Sequence, residues 1–286
     1  FRSSGTEAVE GALNYVKTCE EEFFIVTIDN AYHGLTLGSK QLMKNANGIA
    51  NIFVKTPLEN EQIEKSLSRI EKLLLKKPVF FIFETILGGT LYKLPAPFLY
   101  GLNYLKEKYS DSFYLICDDM LASIRCGNWY SYPDYLNVDI IICGKSWSSG
   151  FPFSFFAISK RIRDKAGDIL GTTTYGGNPM SCQAACQTIK KIQSLNLLEK
   201  IKGQNKKINE YIQLWQQYNA VSRASSYGLL FGIEMKNEKV SKQLALKLLQ
   251  HGILVTRINK LLRFAPPLNI KMEELHWALN KINEIL

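Results

Sequence analysis

The sequence predicts an α/β protein, with a large domain built on a mostly parallel sheet covered by helices on both faces and a smaller C-terminal α+β domain. Three observations predict it. Short runs such as Val79-Phe80-Phe81-Ile82-Phe83 and Ile140-Ile141-Ile142-Cys143 are apolar at every position, as strands buried on both faces must be. Amphipathic helical patterns alternate with these runs, which is the order that generates parallel sheets. Finally, 286 residues with 46% apolar side chains can bury a sizeable core in one or two domains. The 19 Gly and 9 Pro show no period, which excludes collagen-like, low-complexity and repeat architectures.

Taken in order, Ser4-Gly5-Thr6-Glu7 reads as a capping box before Val9, Ala12, Leu13 and Val16 at helical spacing. A helix therefore starts almost at residue 4, and its free N–H groups point back at residues 4 to 6. Phe23–Ile28 is an apolar strand, followed by the loop Asn30-Ala31-Tyr32-His33-Gly34. Ile63, Leu67, Ile70 and Leu74 mark one helix face, and Pro78 separates that helix from the strand Val79–Phe83. The pattern repeats with a helix near Phe98–Lys108 and strands at Phe113–Cys117 and Asp139–Cys143, and Phe151–Ile158 reads as another buried strand. Asn178-Pro179 supplies a helix cap and a first-turn proline, after which the chain is mainly helical to about residue 218. Tyr227–Met235, a helix, the short strand Leu261–Phe264 and a last helix carrying Leu275, Ala278, Leu279, Ile282 and Ile285 complete the smaller domain. The expected division is 1–195 for the large domain and 196–286 for the small one.

Composition narrows the function classes. The longest apolar stretches are far shorter than a membrane-spanning helix needs. Thirty-five Lys plus Arg against 26 Asp plus Glu give a net charge of +9, a weak attraction to anions. The basic residues (Lys72, Lys76-Lys77, Arg161, Arg163, Lys190-Lys191, Lys206-Lys207) read as solvated helix faces without the aromatic interleaving of a nucleic-acid binder. Six cysteines form no CxxC pair, and Cys117 and Cys143 sit inside apolar runs as small hydrophobes. No disulfide framework or metal site is expected, and a reducing, cytoplasmic setting fits. Phe1-Arg2-Ser3-Ser4-Gly5 opens directly into a helix with no initiator Met and no apolar leader, so the chain reads as cut at its N-terminus.

In open parallel sheets ligands bind beyond the carboxyl ends of the strands. Three polar residues stand there: Glu84 after Val79–Phe83, Asp118 after Tyr114–Cys117, and Lys145 after Ile140–Gly144. Singly, each has an ordinary reading as a solvated loop residue, turn or cap. Together with the helix N-terminus at Ser4-Gly5-Thr6 they make an anion cradle, a carboxylate and a lysine on one sheet edge. That set suits pyridoxal phosphate (PLP), which needs its phosphate held by backbone donors, its ring nitrogen kept protonated and its aldehyde joined to a lysine.

The order and wording of the segments resemble the class III aminotransferases of PLP fold type I across essentially the whole chain. Ser3-Ser4-Gly5-Thr6-Glu7-Ala8 is similar to the family's N-S-G-T-E-A, Tyr32-His33-Gly34 to Y-H-G, Glu84-Thr85-Ile86-Leu87-Gly88 to E-P-x-x-G and Asp118-Asp119 to D-E. Gly144-Lys145 with Gly150-Phe151-Pro152 resembles the lysine segment, Thr173–Pro179 resembles S-T-F-G-G-N-P, and Arg263–Leu268 resembles R-x-x-P-P-L. The resemblance implies that Lys145 is the Schiff-base lysine and Asp118 the partner of the pyridinium nitrogen. It implies that Ser4, Gly5 and Thr6 hold the phosphate, with a hydroxyl of Thr174 supplied from the neighbouring subunit of a homodimer. Tyr32 would stack on the ring, its ordinary alternative being a core aromatic. His33 reads as a structural hydrogen-bonding residue beside the ring, and His251 and His276 as plain helix-face residues. Glu84 and Leu121 are also cofactor-contacting positions, while Thr173 and Arg263 are substrate positions, Arg263 matching a carboxylate bidentately or serving only a salt bridge.

Departures from the family pattern matter as well. Asp118-Asp119-Met120-Leu121 stands where many members read D-E-V-Q, so the Gln that reaches the cofactor's phenolic oxygen is Leu121 here. The run Asp118–Arg125 is closer to D-E-V-M-T-G-F-R of the glutamate-semialdehyde aminomutase branch. Leu35 replaces an Arg of acyl-ornithine-type members, and Gly89 replaces a Glu that gates the carboxylate-binding Arg; both speak against acyl-ornithine and gated ω-amino substrates. Full-length relatives also carry a segment ahead of N-S-G-T-E-A that helps build the pocket and the dimer interface. The reading is a PLP-dependent aminotransferase moving an amino group between an amine or amino acid and a keto acid or aldehyde. Its alternatives are an aminomutase or epimerase using the same covalent chemistry, and a truncated non-catalytic homologue.

Overall fold

The computed structural model describes residues 1–44, 52–166 and 173–286. The chain divides into two compact units: Phe1–Leu121 with Tyr130–Ile189, and Ala122–Trp129 with Lys190–Leu286. Where the sequence suggested a boundary at residue 195, the division falls inside a helix, and a short excursion after residue 121 belongs to the second unit.

In the first unit the elements run α1 (Gly5–Cys19), β1 (Phe24–Ile28), α2 (Leu37–Gln41), β2 (Ile52–Val54), α3 (Asn60–Leu74), β3 (Val79–Phe83), α4 (Ala96–Lys108), β4 (Phe113–Asp118), β5 (Ile140–Gly144), β6 (Ser154–Ile158), α5 (Lys160–Ala166) and α6 (Pro179–Ser194), the last running past the division. The strand order is β2-β1-β3-β4-β5-β6, parallel from β2 to β5 with β6 antiparallel at the edge. Alternation of side chains explains the uninterrupted apolar runs. Phe81 and Phe83 of β3, with Leu115 and Cys117 of β4, pack with Ile63 and Ile70 of α3 and Phe98 and Leu102 of α4. Phe80 and Ile82, with Tyr114, Ile116, Ile140 and Ile142, pack on the other face with Ala8, Val9, Ala12 and Val16 of α1 and Ile162 of α5. Both faces are largely apolar, and the charged side chains of this unit's sheet stand at the strand ends.

One such end corrects the sequence reading. Arg161 is not on a solvated face: its guanidinium lies 4.0 Å from the centroid of the Tyr114 ring and pairs with Asp139, which also bonds the buried Lys106 ammonium. Burial pulls Lys106 down to about 8, against the opposing pull of Asp139. This charged group stands where β4 and β5 begin and leaves their carboxyl ends to the site described below.

The second unit continues with α7 (Leu197–Trp215), β7 (Val221–Tyr227), β8 (Leu230–Met235), α8 (Glu238–Gln250), β9 (Thr256–Ile258), β10 (Leu261–Phe264) and α9 (Met272–Ile285). Its sheet is antiparallel in the order β7-β8-β10-β9. Trp215 of α7, Leu248 of α8 and Leu279 of α9 share its core with Ile233 and Leu262. The expected single strand Tyr227–Met235 is a hairpin turning at Gly228, because Gly228 has φ +67° and so reverses the chain. The Leu229 amide donates to Arg125 O at 2.8 Å, tying the excursion Ala122–Trp129 to this unit.

Candidate active site

Parallel strands end on the same edge, so β1, β3, β4 and β5 deliver the residues that follow them to one place. These are the loop Tyr32-His33-Gly34, Glu84, Asp118 and Lys145. The N-terminus of α1 is drawn to the same edge by β6. Arg2 and Ser154 exchange backbone hydrogen bonds at 2.8 Å, the Ser154 hydroxyl donates to Ser4 O at 2.6 Å, and Ser154 pairs with Gly144 across the ladder. Packing seals the junction. A Cβ on Gly5 would stand 2.9 Å from Met120 Cε, and one on Gly144 only 2.7 Å from Met120 Sδ. The Met120 side chain thus lies against both the helix start and the residue before Lys145.

Asp118 is buried and held from two sides. Its Oδ2 accepts from His33 Nδ1 at 2.8 Å and its Oδ1 from the Met120 amide at 3.2 Å. His33 is fixed in turn through Nε2, 3.2 Å from the Thr27 hydroxyl of β1. A carboxylate facing an imidazole must receive the Nδ1–H, so this contact sets the ring's orientation. Glu84 is also buried, with Oε2 accepting from the Tyr32 amide at 2.9 Å and Oε1 from the Gly88 amide at 3.0 Å. Burial first, then repulsion from Asp118, lifts its carboxyl to about 7 against the pull of His33 and the two amides. Next along the sheet edge, Asp119 accepts from the Ser131 amide at 2.7 Å and from its hydroxyl, anchoring the 130–132 loop beside β4.

Lys145 is exposed and has φ +48°, the left-handed region that a non-glycine residue rarely occupies. Such a conformation costs about 1–3 kcal/mol and concentrates at functional sites. Behind it Ser146 is buried with a hydroxyl that finds no partner among the described residues, and Trp147 packs edge-on against Phe155 at 5.1 Å.

At the start of α1, Ser4 is the N-cap: its hydroxyl accepts from the Glu7 amide at 3.4 Å and donates to Glu7 Oε2 at 3.0 Å. Ser4 O takes the Ala8 amide at 3.1 Å. Among the described residues the Gly5 and Thr6 amides donate to nothing, and they face outward at the positive end of the helix. The Thr6 hydroxyl points elsewhere, to Thr36 (2.8 Å) and Ser39 (2.7 Å). Gly34 is obligatory beside it, since φ is +123° and a Cβ would run into Thr6 Oγ1.

The family model for aminotransferase class-III matches residues 1–286. The chain belongs to the class III aminotransferase family. It is 26% identical over 296 residues to an acetylornithine aminotransferase of Aquifex aeolicus, covering 100% of this chain and 76% of that one. Among solved structures, the adenosylmethionine-8-amino-7-oxononanoate aminotransferase of Methanocaldococcus jannaschii matches with a TM-score of 0.89 at 21% identity, over 99% of this chain and 73% of that one. A taurine:2-oxoglutarate aminotransferase of Bifidobacterium kashiwanohense, in complex with PLP and glutamate, matches with 0.87 at 19% identity, over 99% and 73%. These two likenesses establish the fold.

Class III aminotransferases are PLP-dependent transaminases, and the residues of this class III aminotransferase fit that cofactor. Two open amides at a helix N-terminus suit a phosphate, an oriented carboxylate suits a protonated ring nitrogen, and the buried Ser146 hydroxyl retains an unused donor. The structure brings Ser4, Gly5, Thr6, Tyr32, His33, Glu84, Asp118, Leu121 and Lys145 to one edge of the first unit's sheet. Thr173 and Thr174 lie in a turn of the same unit, where Thr173 Oγ1 accepts from the Gly176 amide at 3.1 Å and Thr174 is exposed. Arg263 belongs to the second unit, mid-strand in β10 opposite Gly232 and Thr256. There burial and then the neighbouring charge of Arg263 lower Arg125, whose Nη1 donates to Pro266 O at 2.7 Å.

Sequence reasoning passed over Met120, Ser146, Ser154 and Thr27. Met120 carried a legible signal, a long thioether directly after two acids at a strand end. Ser154 and Thr27 carried none, since an isolated hydroxyl within a strand has no distinguishing pattern.

Proposed function

We propose that this aminotransferase transfers amino groups through Lys145 and Asp118, with an amino acid as donor and a keto acid or aldehyde as acceptor. The observation that carries the reading is Lys145 itself, held in a left-handed conformation at the end of β5, while the neighbouring strand β4 ends in Asp118, whose carboxylate is already oriented by His33 and a main-chain amide. When bound, PLP supplies a carbonyl that condenses with amines and a ring that accepts the electron pair released at the substrate carbon. Gly5 and Thr6 would donate their amides to its phosphate, and Tyr32 would pack against its ring. Asp118 would hold a proton at the ring nitrogen, because its two engaged oxygens keep the carboxylate from turning away. Lys145 Nζ would hold the cofactor covalently at rest and, when free, would serve as the base that takes a proton from the substrate carbon. Leu121 offers the phenolic oxygen no hydrogen bond.

The exposed Thr174 turn supports a homodimer in which that hydroxyl reaches the partner's phosphate site. Arg263 is the proposed carboxylate partner on the strength of its R-x-x-P-P-L motif. The curated relative acts on acetylornithine by its name; Leu35 and Gly89 remove side chains associated with that specificity, which supports a different donor. Six cysteines with no CxxC pair support the cytoplasm as the setting, and no helix among the described residues is long and apolar enough to cross a membrane. The test is a panel of amino donors and keto acids, following the cofactor's visible absorbance and the carbonyl product. A donor that changes the spectrum and is converted to its keto acid with regeneration by an added acceptor supports transamination. Isomerised donor with no dependence on acceptor would contradict it.

A further inference from the structure

We propose that Glu84 is a positioning residue of the cofactor site: by bonding the amides of Tyr32 and Gly88 at once, it locks the loop after β1 to the loop after β3 and so holds Tyr32 and His33 where Asp118 needs them. The proposal rests on the PLP reading above. A carboxylate offers acceptors only, and here each oxygen is occupied by a main-chain N–H, at 2.9 and 3.0 Å. Glu84 therefore acts on the site through its neighbours and not as a direct contact to the ring. The Tyr32 amide it grips immediately precedes His33, and His33 Nδ1 is the donor that orients Asp118 Oδ2. On the other side, the Gly88 amide closes the turn in which Leu87 N also donates to Tyr92 O at 2.8 Å. The loops that follow β1 and β3 are thus joined through one buried side chain.

The groups that face Glu84 are His33 from the loop after β1 and Asp118 and the Cys117 thiol from β4. Protonating Glu84 turns one of its acceptors into a donor that no longer suits the amide it held. The grip on Tyr32 consequently depends on pH in the neutral range.

The test compares wild-type protein with Glu84→Gln and Glu84→Asp, measuring the PLP dissociation constant by quenching of intrinsic fluorescence from pH 6 to 8, alongside thermal unfolding without cofactor. Glutamine keeps the volume, retains one acceptor and turns an NH2 against the second amide. PLP binding should weaken about tenfold, the effect of one buried donor left unmatched, and its pH dependence across that range should flatten. Aspartate keeps the charge but reaches only one amide, so it should weaken binding while retaining the pH dependence. That rescue of the profile is what a purely structural role would not produce. If Glu84→Gln fails to fold, the Glu84→Asp profile decides: a PLP affinity equal to wild type overturns the proposal. Wild-type affinity with an unchanged pH profile in Glu84→Gln overturns it too. Wild-type protein that does not bind PLP at all refutes the cofactor reading instead, so the two failures are distinguishable.

Discussion

Adding one methyl group at Gly144 tests the geometry of the site from within. A Cβ there would stand 2.7 Å from Met120 Sδ, 3.0 Å from the Ser154 Cβ and 3.1 Å from Met120 Cε. The backbone is not the obstacle, since φ of Gly144 is 174°, extended chain open to any residue. The collision is with side chains, and Met120 must retreat by about 1 Å to restore ordinary contact. Retreat toward α1 is limited, because its Cε already lies 2.9 Å from the position a Cβ of Gly5 would take. Overpacking of this kind costs about 1–3 kcal/mol, which for a chain of this length lowers Tm by roughly 2–6 °C. The displaced thioether would also press on the helix start, so Gly144→Ala should weaken PLP binding as well as stability. On a Met120→Ala background the two Met120 contacts vanish and only the Ser154 Cβ at 3.0 Å remains, so the cost of the same substitution should fall by about half or more, a coupling that a double-mutant cycle reads directly. Equal costs on the two backgrounds would refute the claim that Met120 joins the phosphate cradle to the lysine turn.

Other consequences follow from the same structure. Asp118→Asn should leave Tm within a few degrees of wild type and lower kcat about a hundredfold or more, because a neutral amide cannot stabilise the charge on the ring nitrogen; wild-type turnover would remove Asp118 from the chemistry. If Thr174 completes the partner's phosphate site, PLP should favour the dimer, and sedimentation with and without PLP should show tighter self-association with cofactor; a monomer that binds PLP tightly would contradict this. Glu84, raised from 4.5 to about 7 by burial, retains its proton in the folded state at pH values where the unfolded chain has lost it. The folded state then binds more protons than the unfolded one between pH 4.5 and about 7, and stability falls as pH rises through that window, by up to ~3 kcal/mol. Glu84→Gln should remove that component, so urea unfolding of wild type and variant at pH 5 and pH 8 should show the variant gaining relative stability at the higher pH; parallel changes would contradict the assignment.

Much of the fold was legible because burial writes itself into the strands. Val79–Phe83 is apolar throughout because Phe81 and Phe83 face one helical layer and Phe80 and Ile82 the other. Asn178-Pro179 marked a helix start for a local reason, and the Asn178 side chain does accept from the Ser181 amide at 2.9 Å. What stayed hidden depends on distant partners. Arg161 looks like any helix-surface arginine until Tyr114 and Asp139 arrive from other strands. Val221–Tyr227 contains Ser, Arg and Ala in place of a β-branched run, so nothing local announced the first strand of the hairpin. At the site, the strand-end positions of Asp118 and Lys145 were visible, because chemistry needs those residue types at those places. The ties that orient them, from His33 to Asp118 and from Ser154 to the helix start, bring together residues far apart in the chain.

The central claim is that Lys145 carries the cofactor, and covalent trapping tests it most directly. Protein loaded with PLP is reduced with borohydride, digested and mapped by mass spectrometry. The phosphopyridoxyl label should appear on the peptide containing Lys145 and be absent from a Lys145→Ala protein treated in the same way. A label on another lysine, with Lys145 unmodified in protein that holds its cofactor, would contradict the account.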